Sequence, residues 1–457
     1  MDNRYSTRLW QQLWHGLRNA NTPLPAVKFN GEARFGSLYP VTELASTSIA
    51  LAMQAAAELV GNQHQTEVDC HLASRWFQHS FRPLNRPAPA LWDPFAGDYA
   101  TRDGWIRLHT NAPHHRAAVE SVLGRHADRA SLAQAVSQWD KSALEEAVII
   151  AGGCAAGMRS LQAWQQHPQG QAVKRESLIE QTLQPEASAP LWRLLPARPL
   201  HGVRVLDLTR IIAGPVATRF LAGLGAEVLR LDPPDWQEPT LEEELTPGKR
   251  CARLDLKSAE GRQRFEALLS EADVLVHGYR ADALPALGYD AETLQKLAPG
   301  LTDVSLNAWG WTGPWRNRRG FDSLVQMGCG IAESGRRWKM SEAPSPLPVQ
   351  ALDHATGYLM AAAVLEGLRQ RLLHNTGFTA RLSLARTACL LTENPYEEDE
   401  RPAGIGLARP QDDNVEAELT HWGIGYRLRS PVWLPGTPLL WSRSASPLGS
   451  EAPFWLK

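Results

Sequence analysis

Residues 202–232 read GVRVLDLTRIIAGPVATRFLAGLGAEVLRLD, and this stretch indicates the fold. The apolar run Val203–Leu208 is typical of a buried strand, and the turn Thr209–Pro215 leads into a helical segment. A second apolar run, Glu227–Leu231, follows the helix. A strand, a crossover helix and a second strand in this order predict two parallel neighbours in one sheet.

The same alternation continues along the chain. The pattern predicts further strands at Ala252–Leu254, Val274–Val276 and Thr302–Leu306, with helices at Glu260–Glu271 and Ala291–Lys296 between them. We therefore predict an α/β fold class, a doubly wound parallel Rossmann-like sheet accompanied by a second, smaller α+β domain.

A dinucleotide site at the first turn of this sheet is disfavoured. Asp232 ends the second strand, where a ribose-binding acid would stand, but the first turn lacks the G-x-G-x-x-G pattern. Ile211 and Ile212 occupy the positions at which the backbone would have to approach a pyrophosphate closely. The acid at the strand end alone does not indicate NAD binding.

Residues 348–388 read PVQALDHATGYLMAAAVLEGLRQRLLHNTGFTARLSLARTA and place a carboxylate, Asp353, where a helix should begin. Apolar residues continue at helical spacing through Leu365, Asn375–Gly377 ends the helix, and 380–384 alternate like a strand. On spacing alone, Asp353 fits a helix N-cap as well as a reactive carboxylate.

The bulk composition limits the classes of function. The chain has 457 residues and a formal net charge of −2, which disfavours a nucleic-acid binder. Its 5 cysteines lie far apart without a C-x-x-C pair, so we expect reduced thiols and a cytoplasmic protein. The first residues show no signal-peptide apolar region, and the apolar stretch Ile49–Val60 is too short for a bilayer, so we expect no membrane association.

Residues 37–85 echo the segment that carries Asp353. A helix pattern is followed by a strand-like run at Glu67–Arg75, and Ala45 stands opposite Asp353. The matched positions are Val41 with Val349, Leu44 with Leu352, and Ala73–Arg75 with Leu384–Arg386. We interpret 37–85 as a duplicated element that has lost its carboxylate; two unrelated helix–strand units are the alternative.

Residues 86–182 predict the small α+β domain. Two short strands flank an Asp103-Gly104 turn, and helices follow. The histidines His109, His114 and His115 lack cysteine or carboxylate partners at metal-ligand spacing, so we expect a solvated helix start and no metal site. Four prolines in 183–201 indicate a linker.

The motifs of the second half resemble those of the family III CoA-transferases, the formyl-CoA and carnitine CoA-transferase group. The resembling blocks run in the family's order through about 199–390, and the tail 447–451 resembles the family's closing element. They are 202–209 with Ala213-Gly-Pro215, Gly248–Arg250 with 254–257, 272–276 with 287–289, 312–314 with 320–322, and the Ala-Leu-Asp353 helix start.

This resemblance implies a mechanism centred on Asp353. The carboxylate attacks an acyl-CoA thioester and forms a mixed anhydride, the released thiolate converts the anhydride to an aspartyl-CoA thioester, and an incoming acid reverses the sequence. We expect Asp353 to be ionised, near an ordinary pKa of roughly 3.9, with helix N–H groups at hand for anionic intermediates. Coenzyme A is then a substrate, acyl-CoA and a small carboxylic acid are the partners, and no prosthetic group is implied.

The resemblance also implies positions for coenzyme A. The nucleotide would contact the first turn, the stretch after the third strand and the residues after the fourth strand, and Tyr279 would stack on the adenine. The pantetheine and thioester would lie near three residues that precede the Asp353 helix. The nucleotide positions are Arg210, Ile211, Ile212, Ala213, Leu254, Lys257, Gly278, Tyr279 and Arg280, and the thioester positions are Arg319, Phe321 and Asp322. Pro233-Pro234 departs from an arginine that family members often carry after the second strand, so part of the phosphate clamp is expected elsewhere.

The domain order is exchanged relative to the family. We predict a helical lead at 1–36, the degenerate copy at 37–85, the small domain at 86–182, a linker at 183–201, the large domain at 202–390 and a wrapping segment at 391–457. The family's intertwined dimers imply a homodimer or, here, a single-chain pseudo-dimer. An α-methylacyl-CoA racemase is the nearest alternative, although Phe321 stands where the racemase histidine would be; an acyl-CoA-binding pseudoenzyme is the other.

Overall fold

The computed structural model describes residues 4–32, 34–88, 90–397, 400 and 402–456. The strands are β1 (Val27–Asn30), β2 (Thr66–Asp69), β3 (Phe81–Pro83), β4 (Gly97–Thr101), β5 (Gly104–Leu108), β6 (Ala155–Gly157), β7 (Glu180–Glu186), β8 (Arg204–Leu208), β9 (Glu227–Asp232), β10 (Lys249–Arg253), β11 (Val274–His277), β12 (Thr302–Asn307), β13 (Thr376–Ser383), β14 (Glu418–Thr420), β15 (Gly423–Arg427) and β16 (Val432–Trp433).

The helices are α1 (Arg4–Leu17), α2 (Val41–Leu59), α3 (Cys70–Gln78), α4 (Pro113–Leu123), α5 (Arg129–Val136), α6 (Lys141–Ile150), α7 (Leu161–Gln166), α8 (Pro168–Arg175), α9 (Ala213–Gly223), α10 (Glu242–Leu245), α11 (Ala259–Leu269), α12 (Ala283–Ala286), α13 (Ala291–Leu297), α14 (Asp322–Gly328), α15 (Ile331–Lys339), α16 (Ala351–His374) and α17 (Leu384–Thr392). A short 3-10 helix covers Pro410–Asp412.

The large sheet has the doubly wound order β10-β9-β8-β11-β12-β13-β7. Its first six strands are parallel, and β7 closes the edge antiparallel to β13. Among the parallel strands the chain begins at β8 in the middle, adds β9 and β10 on one side, and then adds β11 on the other side of β8, so the direction of winding reverses between β8 and β11. Such a switch point leaves a crevice at the carboxyl ends of the strands, where open α/β sheets bind ligands.

The fold class and the parallel strands expected from the sequence are confirmed. β8, β9, β11 and β12 appear where the alternation placed them because their apolar side chains are buried under helices on both faces. β10 covers Lys249–Arg253 and so starts three residues before the predicted strand Ala252–Leu254. Strand β7 was not predicted: it covers Glu180–Glu186, so 183–186, assigned to the linker, belong to the sheet. Its pairing with β13 links positions that lie far apart in sequence, which local patterns do not reveal.

The small domain forms one antiparallel sheet and its own core. Strands β4 and β5 pair as the predicted hairpin, and β6 joins β5. Helices α4, α5 and α6 cover this sheet, with Ile106, Leu108 and Val148 among the fully buried side chains. The expectation of solvated histidines is wrong for two of them: His109 and His115 are 5% and 3% exposed, and His114 alone is exposed.

The first helix–strand segment differs from its prediction. Residues 70–75 are helical, not extended: β2 stops at Asp69, whose side chain accepts the N–H of Leu72 and caps α3. Asp favours such caps over strand interiors. The expected register with α16 also changes, as described next.

Helices α2 and α16 begin with the same backbone turn. Pro40 has φ −75° and ψ 67°, and Gln350 has φ −74° and ψ 63°, each centring an inverse γ-turn closed by a 2.8 Å hydrogen bond. Counting from these turns, Glu43 stands opposite Asp353, whereas the sequence register placed Ala45 there.

The elements that follow the two helices also correspond. Strand β2 lies between a parallel β1 and an antiparallel β16, as β13 lies between β12 and β7. A hairpin follows in each half, β4–β5 in the first and β14–β15 in the second. Each half of the chain thus lends an antiparallel strand to the sheet of the other.

Candidate functional site

Asp353 lies in the first turn of α16, at the centre of the molecule. It is the third residue of the helix, and Gln350 is the cap, so the N-cap role considered for Asp353 is wrong. The side chain is 7% exposed. Among the described residues, no donor forms a hydrogen bond to its carboxylate oxygens.

The side chain that caps α16 is Asp322, the first residue of α14. One Asp322 carboxylate oxygen accepts the backbone N–H of Asp353 at 2.9 Å, and the N–H of Leu352 also donates to Asp322. The other oxygen accepts from Gln326. Asp322 is fully buried, so it is a structural anchor for the Asp353 turn. The sequence analysis had placed it near the thioester, but its side chain is not exposed.

Burial raises the pKa of both carboxyl groups. Burial raises the pKa of Asp322 to about 6, although the N–H groups that donate to its carboxylate act to lower that pKa. Burial, and next the charge of Asp322, raise the pKa of Asp353 well above its ordinary value. The expectation of an Asp353 ionised near pH 4 is therefore wrong, because desolvation disfavours the charged form and no cation compensates for it.

The helix N–H groups expected beside Asp353 are already used. The N–H of Ala351 bonds to Val349, and those of Leu352 and Asp353 bond to Asp322. The start of α9 has no such partner, because its cap residue Ile212 makes no side-chain hydrogen bond to the helix. Free N–H groups at such a start attract anionic oxygens.

Helices α9 and α16 meet one turn beyond Asp353. A Cβ at Gly357 would lie 2.4 Å from the carbonyl oxygen of Ala213 and 2.9 Å from the Val216 side chain. Residues four apart share one face of a helix, so Asp353 and Gly357 both face the start of α9. This contact brings the predicted turn residues Ile212 and Ala213 beside the Asp353 turn.

Arg210 and Tyr279 come together at the switch point of the sheet. Arg210 follows β8 and Tyr279 follows β11, and an Arg210 guanidinium nitrogen donates to the Tyr279 hydroxyl at 3.3 Å. The guanidinium also lies 5.4 Å from the Tyr279 ring centre and 4.8 Å from that of Trp236. A cation between two aromatic faces is a platform for a flat, anionic ligand.

The turn after β8 is held in a strained shape. Ile211 has φ 68°, which β-branched residues rarely adopt, and its N–H donates to Glu238 at 2.8 Å. Glu238 also accepts from Trp236 and Arg230. Glu238 and Trp236 belong to the Pro233-Pro234 segment, so the segment that departs from the family's motif supplies the turn's support; the sequence prediction missed both residues.

Asp232 takes no part in ligand binding. It is fully buried and accepts two hydrogen bonds from Arg230, at 2.9 and 3.0 Å. The strand-end acid that suggested a dinucleotide is thus engaged in an internal ion pair with Arg230.

The remaining predicted nucleotide positions follow the carboxyl ends of β10 and β11. Leu254 and Tyr279 pack against the same apolar cluster, while Lys257 and Arg280 are more exposed. Arg280 lies 3.7 Å from Asp282, and Gly278 packs beside Leu306. All of these residues therefore lie at the same edge of the sheet, with Lys257 at the outer end of that edge.

Arg319 and Phe321 lie against the small domain. The Phe321 ring stacks on His109 at 3.9 Å, and Arg319 donates to the Gly152 carbonyl at 3.3 Å. Burial lowers the pKa of His109 and of His115 to about 3, so both imidazoles are neutral. The described residues contain no group of histidine, cysteine or acidic side chains placed to hold a metal ion.

His114 connects the two regions. Burial first, then the charge of Arg319, lower its pKa; Asp235 opposes this shift, and Arg210 adds to it. Its ring lies 6.5 Å from Trp236. The sequence analysis assigned His114 to a solvated helix start. Nothing in the sequence indicated its place in this site.

The fold and the site define an open α/β protein whose switch-point crevice, lined by a cation and aromatic rings, runs toward a buried, unpaired carboxylate. In the part of the chain that the structure describes, no helix has the length and apolar character to cross a membrane. The five cysteines are free thiols, and burial raises the pKa of each.

Comparisons with known proteins agree with this class. Residues 200–416 match the model of CoA-transferase family III. A probable fatty acyl-CoA transferase of Mycobacterium tuberculosis is 31% identical over 252 residues, covering 48% of this chain and 63% of that protein. A succinyl-CoA:glutarate CoA-transferase of Mus musculus is 32% identical over 213 residues, covering 42% and 47%.

An orthorhombic crystal structure of the same M. tuberculosis protein superposes with a TM-score of 0.39 and 28% identity, over 44% of this chain and 59% of that chain. The chain thus spans less than two thirds of the length of these relatives. The similarity to CoA-transferase family III is carried by the large α/β region of the chain, residues 200–416.

Proposed function

We propose that the protein transfers coenzyme A from an acyl-CoA to a carboxylic acid, with Asp353 as the covalent nucleophile. The Asp353 carboxylate attacks the thioester carbonyl and expels the CoA thiolate, giving a mixed anhydride. The thiolate attacks the aspartyl carbonyl of the anhydride and releases the first acid. The acceptor carboxylate attacks the resulting aspartyl-CoA thioester, and the thiolate then attacks the new acyl group, which restores Asp353.

The observation that carries this proposal is the state of Asp353. The carboxylate is nearly buried at the junction of the two halves, and no cation or described hydrogen-bond donor is committed to it. A structural carboxylate in such a place is ordinarily paired. A poorly solvated carboxylate, once ionised, is a stronger nucleophile than one in water, which suits attack on a thioester.

Charge on the anionic intermediates would be stabilised from α9. The N-terminal N–H groups of α16 are occupied by Val349 and Asp322, whereas the start of α9 faces Asp353 and lacks a side-chain cap. We assign the oxyanion donors to the backbone of Ala213 and Gly214. Preorganised donors of this kind are worth roughly 10²–10³-fold in rate.

Coenzyme A would lie along the carboxyl edge of the sheet. Its adenine is assigned to Tyr279 and Trp236 around Arg210, and its phosphates to Arg210, His114 and Arg319, with Lys257 at the outer end. Phe321 would line the path of the pantetheine toward Asp353. Asp322 is reassigned from a ligand contact to the residue that positions the Asp353 turn.

The racemase alternative lacks a base. His109 is the imidazole beside Phe321, but burial lowers its pKa to about 3, which makes it a poor acceptor for an α-proton. His354, the neighbour of Asp353, stacks on Phe77 and also has its pKa lowered to about 3 by burial. These values favour the transferase.

We also propose that the chain is a single-chain pseudo-dimer with one active centre. The matched turns of α2 and α16, the two hairpins and the exchanged strands β7 and β16 support two related halves. In the first half, Glu43 stands in the place of Asp353 but pairs with Arg34 at 2.8 Å and accepts from Tyr396 at 2.5 Å. An acid engaged in this way is a poor nucleophile, so one half is expected to be inactive.

Trapping by mass spectrometry tests both proposals. The protein is incubated with a panel of acyl-CoAs, quenched with hydroxylamine or borohydride, and digested. We expect one modified residue per chain, on the peptide that contains Asp353, and none on the peptide that contains Glu43. Asp353→Asn should abolish exchange while CoA affinity stays within a few fold; Asp140→Asn, at an exposed aspartate, is the matched control.

The outcomes separate the alternatives. Full exchange by Asp353→Asn, or an adduct elsewhere, overturns the covalent role of Asp353. Binding of CoA without an adduct favours a racemase or a pseudoenzyme, which an α-proton exchange assay in deuterated water distinguishes. A modified Glu43, or a dimer in sedimentation at the concentration of the assay, contradicts the pseudo-dimer.

A further inference from the structure

A cavity of about 300 Å³ opens beside the start of α16. Gln350 and His354 line it, three residues before and one residue after Asp353. Ile212, which caps α9, lines the same space. The cavity therefore adjoins the helical turn that carries Asp353.

Both halves of the chain build this cavity. Phe77 at the end of α3 and Trp92 before β4 come from the first half, and Leu241 and the α16 residues come from the second. Trp92 is fixed from behind by Arg107, whose guanidinium lies 4.9 Å from the indole ring centre. Leu91 and Trp92 are 41% and 38% exposed and form the open rim of the cavity.

Most of the lining is apolar, and it contains no arginine or lysine among the described residues; its polar members are Gln78, His79, Glu244, Gln350 and His354. Its one carboxylate, Glu244, accepts hydrogen bonds from Ser80, Phe81 and Arg219, and its pKa is lowered to about 2. A second carboxylate on a bound acid would find no strong cation there and would face the charge of Glu244. Burying such an unpaired charge is costly.

One side chain of this wall, His354, has a polar atom without a hydrogen-bond partner in the described chain. The Nδ1 atom of His354 is buried and makes no hydrogen bond within the described chain, while its ring stacks on Phe77 at 4.9 Å.

We propose that this cavity is the acyl subsite and that it selects monocarboxylic acids with an apolar body over short dicarboxylic acids. The inference rests on the proposed transferase function. The cavity of about 300 Å³ equals the liquid volume of roughly ten water molecules at about 30 Å³ each, which leaves room for a benzoyl or hexanoyl group. By their names, the M. tuberculosis relative acts on a fatty acyl group and the Mus musculus relative on two dicarboxylic acids. The choice between these two classes of acid is therefore argued from the residues that line the cavity of this chain.

Acceptor competition tests the selection. With acetyl-CoA or hexanoyl-CoA as donor, new acyl-CoA is measured by chromatography and mass spectrometry for benzoate, hexanoate, succinate and glutarate. We expect kcat/KM for the monocarboxylates to exceed that for the dicarboxylates by about 100-fold, the scale on which apolar pockets discriminate.

A charge introduced at the rim sharpens the test. Leu91→Arg places a cation at an exposed edge of the cavity and should shift the ratio toward glutarate by about 10-fold. The matched control is Leu191→Arg, at a side chain that is 99% exposed and outside the cavity lining. It should leave the ratio unchanged.

Each result decides something. Exchange in which dicarboxylates equal monocarboxylates, or a Leu91→Arg protein that behaves like the Leu191→Arg control, overturns the selection and leaves the transferase intact. Absence of exchange and of an Asp353 adduct with every donor overturns the proposed function and this inference with it.

Discussion

Replacing Asp322 by asparagine is expected to remove a pH dependence from the stability of the protein. The folded-state pKa of Asp322 is about 6, against 3.8 without burial. Between these values the folded protein binds more protons than the unfolded chain, so the free energy of unfolding falls as pH rises and the loss is complete above pH 6 to 7. Two pKa units correspond to about 3 kcal/mol.

Asparagine keeps the shape of the side chain and one acceptor oxygen for the α16 turn. Compared with the neutral acid, it loses the acceptor for the Gln326 side chain, a loss of about 1 kcal/mol. The variant should therefore be slightly less stable than the wild type near pH 4 and more stable by about 2 kcal/mol near pH 8. It also removes the charge that raises the pKa of Asp353, so the acid limb of the exchange rate should move to lower pH.

Urea denaturation at half-unit steps from pH 4 to pH 8 measures the first effect, and the pH profile of exchange measures the second. Asp140→Asn, at an exposed aspartate paired with Arg102, is the control and should follow the wild type at every pH. If the curves for Asp322→Asn and wild type run parallel over this range, the protonation of Asp322 in the folded state has been inferred wrongly.

Three further predictions concern other parts of the molecule. Gly357→Ala should destabilise the fold by about 1–3 kcal/mol through the clash with Ala213, whereas Gly36→Ala, 3.4 Å from its nearest contact, should change thermal stability little. Arg210→Ala should weaken CoA binding by about 10-fold in calorimetry and reduce its salt dependence, with Arg193→Ala unaffected; equal affinities would remove Arg210 from the site. Because burial raises the pKa of all five thiols, alkylation at pH 7.5 should be slow in the folded protein and fast in urea; rapid reaction of Cys154 or Cys251 in the native state would contradict their burial.

The sequence by itself determined the parallel sheet, the small-domain hairpin and the helix that begins near Asp353. These features depend on local patterns: apolar runs separated by helices, an Asp-Gly turn, and helical spacing after a proline-rich segment. These patterns involve only residues that are close in sequence, so they can be recognised without knowledge of the fold.

Tertiary structure decided what surrounds Asp353. Asp322 lies 31 positions away in the chain, yet its cap uses the N–H groups expected for intermediates and its charge raises the pKa of Asp353. The cavity needs Phe77 and Trp92 from the first half, and Trp236 reaches Arg210 from a loop read as a departure from the motif. Desolvation and charge pairing depend on which distant segments meet, and only the packed molecule brings them together.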